Sequence, residues 1–402
     1  MNFPLNSRPN SFTYSRITLP LLSCALALLA AFGAAPARAQ SAVPDPLITL
    51  TRPQTQQQKP QFLEAEFLPN HGMNLFQIKA YLPGKGVISL LASPPFDEAM
   101  TKLDGPDPYG NEAFKIGGAF LLPYANRIRG TLSADGKNIE ADLAGQKVSL
   151  PANWHGDHPP AGSTSELHAM HGLILNAKFH TLARRNGPHS STLTAMLHAG
   201  DFAGHWPSRT NVRIRATLTD RVLDLQVTAT NVGHERLPMA IGMHPYFAFP
   251  SGDRTQARVH MPATMRAPSN NYDDVFALGQ IVPVAGTRFD FSAPDGAPLG
   301  AEFVDDSFTD LQRDPSGNAE VRVTDPASNY GIKITAISKQ IRTIQMYAPP
   351  TKNFVAIEPQ FNLSDPYDKK VWADQDTGVV FLKPGESTTW HIQLALYELK
   401  QY

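Results

Sequence analysis

Apolar and polar residues alternate with a period of two along most of the chain. FQIKAYL at 76–82, VRIRATL at 212–218 and LDLQVTAT at 223–230 alternate almost without fault. EVRVT at 320–324, GIKIT at 331–335, TIQMY at 343–347 and HIQLALY at 391–397 continue the theme. Turns such as PGKG at 83–86 and TDRV at 219–222 stand between such runs. Alternation over about four to eight residues puts successive side chains on opposite faces of a half-buried strand. No helical period persists beyond about two turns. The pattern predicts an all-β fold, a large antiparallel β-sandwich, as a single domain over residues 62–402. Proline at 35 and glycine at 28 suit short strands and turns better than long helices.

Two stretches break the pattern. In residues 1–39, Arg8 and Arg16 precede an apolar run from Ile17 to Ala35, and ARA at 37–39 places small residues around a cleavage site. This reads as a secretory signal peptide cut between Ala39 and Gln40, giving a secreted or periplasmic protein with no stable membrane anchor. A lipoprotein reading through LLSC at 21–24 fits poorly, because most of the apolar run follows Cys24. Residues 40–61, rich in Pro and Gln, read as a flexible leader. Cys24 is the sole cysteine, so the mature chain has neither disulfides nor thiolate chemistry. Removing residues 1–39, with three Arg and no acid, takes the formal net charge from −1 to −4. Nothing here attracts nucleic acid, and a neutral small molecule is the easier partner.

Candidate chemistry stands at the edges of the apolar runs. In IGMHPYFAF at 241–249, His244 is set among apolar residues, where packing fixes a ring for proton transfer or simply holds a core histidine. Glu358 closes the run VAI and precedes Pro359. Part-burial there would raise its pKa and suit it as a base; the plain alternative is an exposed strand-end acid. Arg127, in PYANRI at 123–128, offers a forked donor or covers a sheet edge. His171, in HAMHG at 168–172, faces either a pocket or solvent. In VDDSF at 304–308, paired acids grip vicinal hydroxyls or cap a turn. Residues 154–172 form a long loop holding four of the 13 His. The pairs His155/His158 and His168/His171 have zinc-like spacing, but without HExxH or cysteine the sequence argues for no metal.

Taken in order, these motifs resemble the aldose 1-epimerase (galactose mutarotase) family from about Gly84 to the C-terminus. The resemblance rests on NRI at 126–128, HG at 171–172, HPYF at 244–247, GQIVP at 279–283 with GTRFD at 286–290, DDSF at 305–308 and EPQ at 358–360. It implies the galactose mutarotase-like supersandwich, with a sugar in an open cleft. It also implies catalysis without metal or cofactor. Glu358 would be general base and His244 general acid, with His171 close to the reacting oxygens. Arg127, Asp305, Asn126 and Tyr246 would bind substrate, an aldohexose such as galactose or glucose. The two catalytic groups are expected to face each other across a gap one hexose wide. Ala248-Phe249 follow HPYF where Asn-Leu is common in the family, and Phe361 follows EPQ where Thr is common. The second acid of each pair, Asp306 and Asp274, leaves the assignment of Asp305 open. The alternative from another class is a non-catalytic carbohydrate-binding protein on the same fold. Action on larger glycans would need a further acid site, and action on phosphorylated hexoses a dense basic cluster; neither is evident.

Overall fold

The computed structural model describes residues 46–156 and 164–399, which belong to one compact unit, Pro44–Tyr402. The expected signal peptide, its cleavage site and His158 lie outside these residues. Two large antiparallel sheets dominate. The first has nine strands, in spatial order His180–Arg185, Ser191–Gly200, Thr210–Leu218, Val222–Asn231, Ser387–Tyr397, Tyr330–Ala336, Ala319–Asp325, Arg258–His260 and Ala297–Pro298. The second has seven: Val282–Pro283, Ala263–Ala267, Val304–Leu311, Thr343–Ala348, Phe354–Gln360, Gly242–Ala248 and Gly118–Leu121.

The sheets face each other over one core. Ile214, Leu225, Val227 and Ile392 of the first and Phe247, Ile344, Val355 and Ile357 of the second are buried in the same cluster. The Trp390 indole N–H crosses to the Pro359 carbonyl at 2.9 Å, and Phe120 packs edge-on against Trp390 with centroids 6.0 Å apart. Alternation thus does what the pattern predicts, with one parity of each strand in the core. The all-β sandwich follows.

The folded region begins earlier than residue 62. Ile48–Thr51 forms a strand on Gln61–Leu68, which continues into Asn74–Leu82 and Gly86–Ser89 as a four-stranded sheet. Ile48 and Leu50 are buried in the main core, so part of the expected leader is structural. A three-stranded sheet of Thr131–Leu132, Asn138–Leu143 and Gln146–Pro151 stands beside Arg127–Ile128 in the chain. No helix among the described residues is long and apolar enough to cross a membrane.

Candidate active site

Strand register builds the site. Gly242 faces Gln360 and Tyr246 faces Ala356, which sets His244 opposite Glu358. The ladder lapses between those two pairs, where Pro245 and Pro359 have no N–H to give. Neighbouring strands extend the row: Ala119 pairs with His244, Gln345 with Glu358, and Ser307 with Gln345. Tyr246, Ala356, Tyr347 and Asp305 make a second row alongside. Residues of the other parity fill the core, so both rows occupy the face turned away from it.

Two turns close on this face. Asn126 and His171 both have left-handed backbones, with φ 61° and 62°. The His171 N–H donates to the Asn126 carbonyl at 2.9 Å, and Ala169–Met170 pairs with Arg127–Ile128. Gly172 follows at φ 83°. A Cβ there would lie 2.3 Å from the Leu122 carbonyl oxygen, so only glycine lets the turn come this close.

The side chains converge. His244 Nε2 and Glu358 Oε1 are 3.2 Å apart, and Glu358 is 1% and His244 5% exposed. The His171 ring stands perpendicular to His244 with centroids 5.2 Å apart, and Tyr246 backs His244 at 4.6 Å. Phe114 packs against His171 at 4.8 Å. Arg127 Nη1 donates to Asn126 Oδ1 at 2.9 Å, and Asn126 Nδ2 donates to Gln345 Oε1 at 3.3 Å. Gln345 Nε2 then donates to Asp305 Oδ1 at 2.6 Å, and the Ser307 hydroxyl donates to Gln345 Oε1. Buried Glu358 Oε2, Arg127 Nε and His171 Nδ1 have no partner among the described residues, the condition in which a polar ligand is welcome.

Burial governs the charges. It holds the Glu358 carboxyl well above the ordinary carboxylate range, with Asp305 adding and Arg127 opposing. It pushes His244 down to about 3, helped by the Arg127 cation. His171 falls well below its usual value for burial first, then for the charges of His244 and Arg127. Burial raises Asp305 to about 6 against the pull of Arg127. Burial thus favours the pair as neutral carboxyl beside neutral imidazole. That state and the carboxylate–imidazolium state hold the same single proton and differ by one transfer across the contact.

All seven residues singled out in the sequence lie on this face or in the turns that close it. Three details differ from expectation. Glu358 and His244 touch rather than leave a hexose-wide gap, and the site is nearly buried rather than an open cleft. The Asn126 amide is engaged by Arg127 and Gln345, which puts it behind the guanidinium as its support. Of the double acid, Asp305 faces the site, whereas Asp306 turns to Arg266 Nη1 at 2.5 Å and the Tyr272 hydroxyl at 2.6 Å. Sequence reasoning missed Gln345 and Ser307; a polar Gln in the middle of an otherwise strand-like run was the available signal. His168 Nδ1 bonds the Glu166 carbonyl at 2.8 Å and His155 Nδ1 the Gly156 carbonyl at 2.9 Å. Among the described residues, no group of three or more His, Cys, Asp or Glu is arranged to hold a metal.

Comparison with known proteins agrees with this picture. The sequence model of the family described as aldose 1-epimerase matches residues 93–395. A galactose mutarotase-like protein from Clostridium acetobutylicum is 17% identical with a TM-score of 0.66, over 88% of this chain and 98% of that one. A GalM/aldose epimerase homologue from Caenorhabditis elegans is 18% identical with a TM-score of 0.62, over 88% and 99%. At such identities the likeness speaks for the fold. The uncharacterised protein YphB of Escherichia coli K12 is 25% identical over 183 residues, 44% of this chain. The match spans 57% of the length of that curated relative.

Proposed function

The chain belongs to the aldose 1-epimerase family, and we propose that it interconverts the α and β anomers of a free aldohexose by opening and reclosing the ring. The observation that carries this reading is the 3.2 Å contact between His244 and Glu358. The hydroxyl oxygen O1 and the ring oxygen O5 of an aldose are both bonded to C1. A base for one and an acid for the other must therefore be neighbours, as these two are.

Glu358 as carboxylate takes the O1 proton while His244 as imidazolium gives one to O5. The C1–O5 bond breaks and the aldehyde forms. Rotation about C1–C2 presents the other carbonyl face, O5 attacks C1, and both protons return. The pair passes from carboxylate–imidazolium to carboxyl–imidazole and back, without net proton change. Each transfer typically contributes about 10²–10⁴-fold. His171 hydrogen-bonds near the reacting oxygens, and Arg127 and Asp305 hold ring hydroxyls. Side chains carry both transfers, so the cycle draws on no metal or cofactor.

Polarimetry on freshly dissolved α-glucose and α-galactose tests the reading. Decay of optical rotation well above the buffer rate supports it. Sugar binding with the buffer rate unchanged replaces it with the non-catalytic carbohydrate-binding alternative. We also propose, from residues 1–39, that the chain is exported; a mature protein that retains those residues would contradict this.

A further inference from the structure

One edge of the nine-stranded sheet is basic. Residues 178–221 hold seven Lys and Arg against two acids, Asp201 and Asp220. The whole chain holds 35 Lys and Arg against 36 Asp and Glu, so the excess is local. All seven are exposed, and none pairs with an acid among the described residues.

Strand register gathers much of this charge on one face. Arg185 pairs with Thr192, and Thr192 with Thr217. Thr194 pairs with Arg215 and Met196 with Arg213. These positions alternate with Leu193, Ala195, Ile214 and Ala216, which are buried in the core, so they stand on the outer face of the sheet. Asp224 is the sole acid in the five strands at this end. Its carboxylate is already engaged, by the Gln226 amide at 3.1 Å, the Gln393 amide at 2.9 Å and His391 Nε2 at 2.6 Å. The edge strand slips register between Thr181 and Ala183. Leu182, at the slip, is 59% exposed.

The face thus combines unpaired cations across an open sheet with an apolar side chain at its rim. A bilayer surface selects both, charge by its anionic headgroups and the apolar group by its acyl boundary. A polyanionic chain is gripped instead along a groove that tracks it, and gains nothing from Leu182.

We propose that this face docks the chain, peripherally and reversibly, on an anionic lipid surface. The two large sheets face each other over one core, and His244 and Glu358 lie on the far side of the other sheet. The docked chain therefore keeps its site turned away from the lipid. The inference does not depend on which reaction that site performs.

Vesicle flotation tests it. Residues 1–39 are left out, because their apolar run would seek lipid by itself; the chain from Gln40 keeps the whole compact unit Pro44–Tyr402. Vesicles of phosphatidylcholine, with and without phosphatidylglycerol, are used at low salt and at about 0.5 M salt. The expected result is binding only to vesicles with phosphatidylglycerol, and only at low salt. Arg185→Gln, Arg213→Gln and Arg215→Gln together should weaken it at least about tenfold. Lys137→Gln, Lys352→Gln and Lys370→Gln together remove the same charge from exposed positions elsewhere and should cost less than about threefold. Both variants change exposed residues only, so circular dichroism and polarimetry should match the wild type. No binding to phosphatidylglycerol vesicles at low salt, or equal losses in the two variants, overturns the assignment. So does binding to polygalacturonate with none to vesicles, which would give the face to an acidic polysaccharide.

Discussion

His244 and Glu358 face each other on adjacent strands, in contact at 3.2 Å and almost without solvent. Glu358→Gln keeps the shape and removes the base. The expected outcome is a fall in kcat/KM of about 10²–10⁴-fold by polarimetry, with the circular dichroism spectrum retained. Wild-type turnover in this variant would take Glu358 out of the mechanism. His244→Asn should lower kcat far more than sugar affinity; a loss confined to affinity would make it a binding residue.

The pH dependence follows from the shared proton. The working pair holds one. A second proton must go to His244, which burial has pushed down to about 3. The one proton leaves only as the Glu358 carboxyl ionises, and burial holds that value well above the ordinary range. At saturating sugar, kcat should therefore not fall as pH drops from 7 to 5. An acid limb centred on the ordinary imidazole value, about 6.5, would contradict the lowering of His244 by burial. Asp305, raised to about 6 by burial, should show instead as an inflection in KM.

Gln345 is the hub that holds Asp305 and, through Asn126, Arg127. Gln345→Met keeps the bulk and strands Asp305 Oδ1, Asn126 Nδ2 and the Ser307 hydroxyl. Each orphaned group costs about 1–3 kcal/mol, so the unfolding midpoint should fall. Activity should be lost mainly through KM, because the catalytic pair keeps its place while the hydroxyl-binding groups lose theirs. A loss confined to kcat would contradict this division.

The strands were legible because one parity of each is apolar and buried. What that parity faces was less so. Gln345 and Thr343 read as solvent-facing in TIQMY, yet they are 3% and 1% exposed. Alternation separates two faces without saying whether the polar one meets water or a closed site. ITLT at 48–51 is short and borders a Pro- and Gln-rich stretch, so its composition hid a strand. The choice between Asp305 and Asp306 was in the sequence after all. Val304 and Phe308 lie in the core, so Asp306 shares their parity and Asp305 has the other. The contact of His244 with Glu358 needed the register of strands distant in sequence, which no local pattern carries.

Gly172 fixes the turn that presents His171. At φ 83°, with a Leu122 carbonyl where a Cβ would be, alanine is refused by both backbone and neighbour. Gly172→Ala should destabilise the fold by more than about 2 kcal/mol, read as a shifted denaturant midpoint. Gly136, also at positive φ but in open space, serves as the control and should cost less when changed to alanine. Equal losses at both positions would show that the close approach to Leu122 is unimportant.

Asp365 gives a stability signature whose sign can be worked out. Burial raises its carboxyl to about 7, above the unfolded value of about 3.9. Between those values the native state holds a proton that the unfolded state has released. Stability from this group is thus greatest at low pH, falls as pH rises through the window, and is flat above it. Asp365→Asn removes the titration, keeps an acceptor for the Arg129 N–H and suits the left-handed backbone. The unfolding midpoint of the variant minus that of the wild type should therefore become more favourable from pH 4.5 to pH 8. Groups shared by both proteins cancel in that difference. A difference independent of pH would show that the Asp365 carboxyl ionises in the folded chain as it does in the unfolded one.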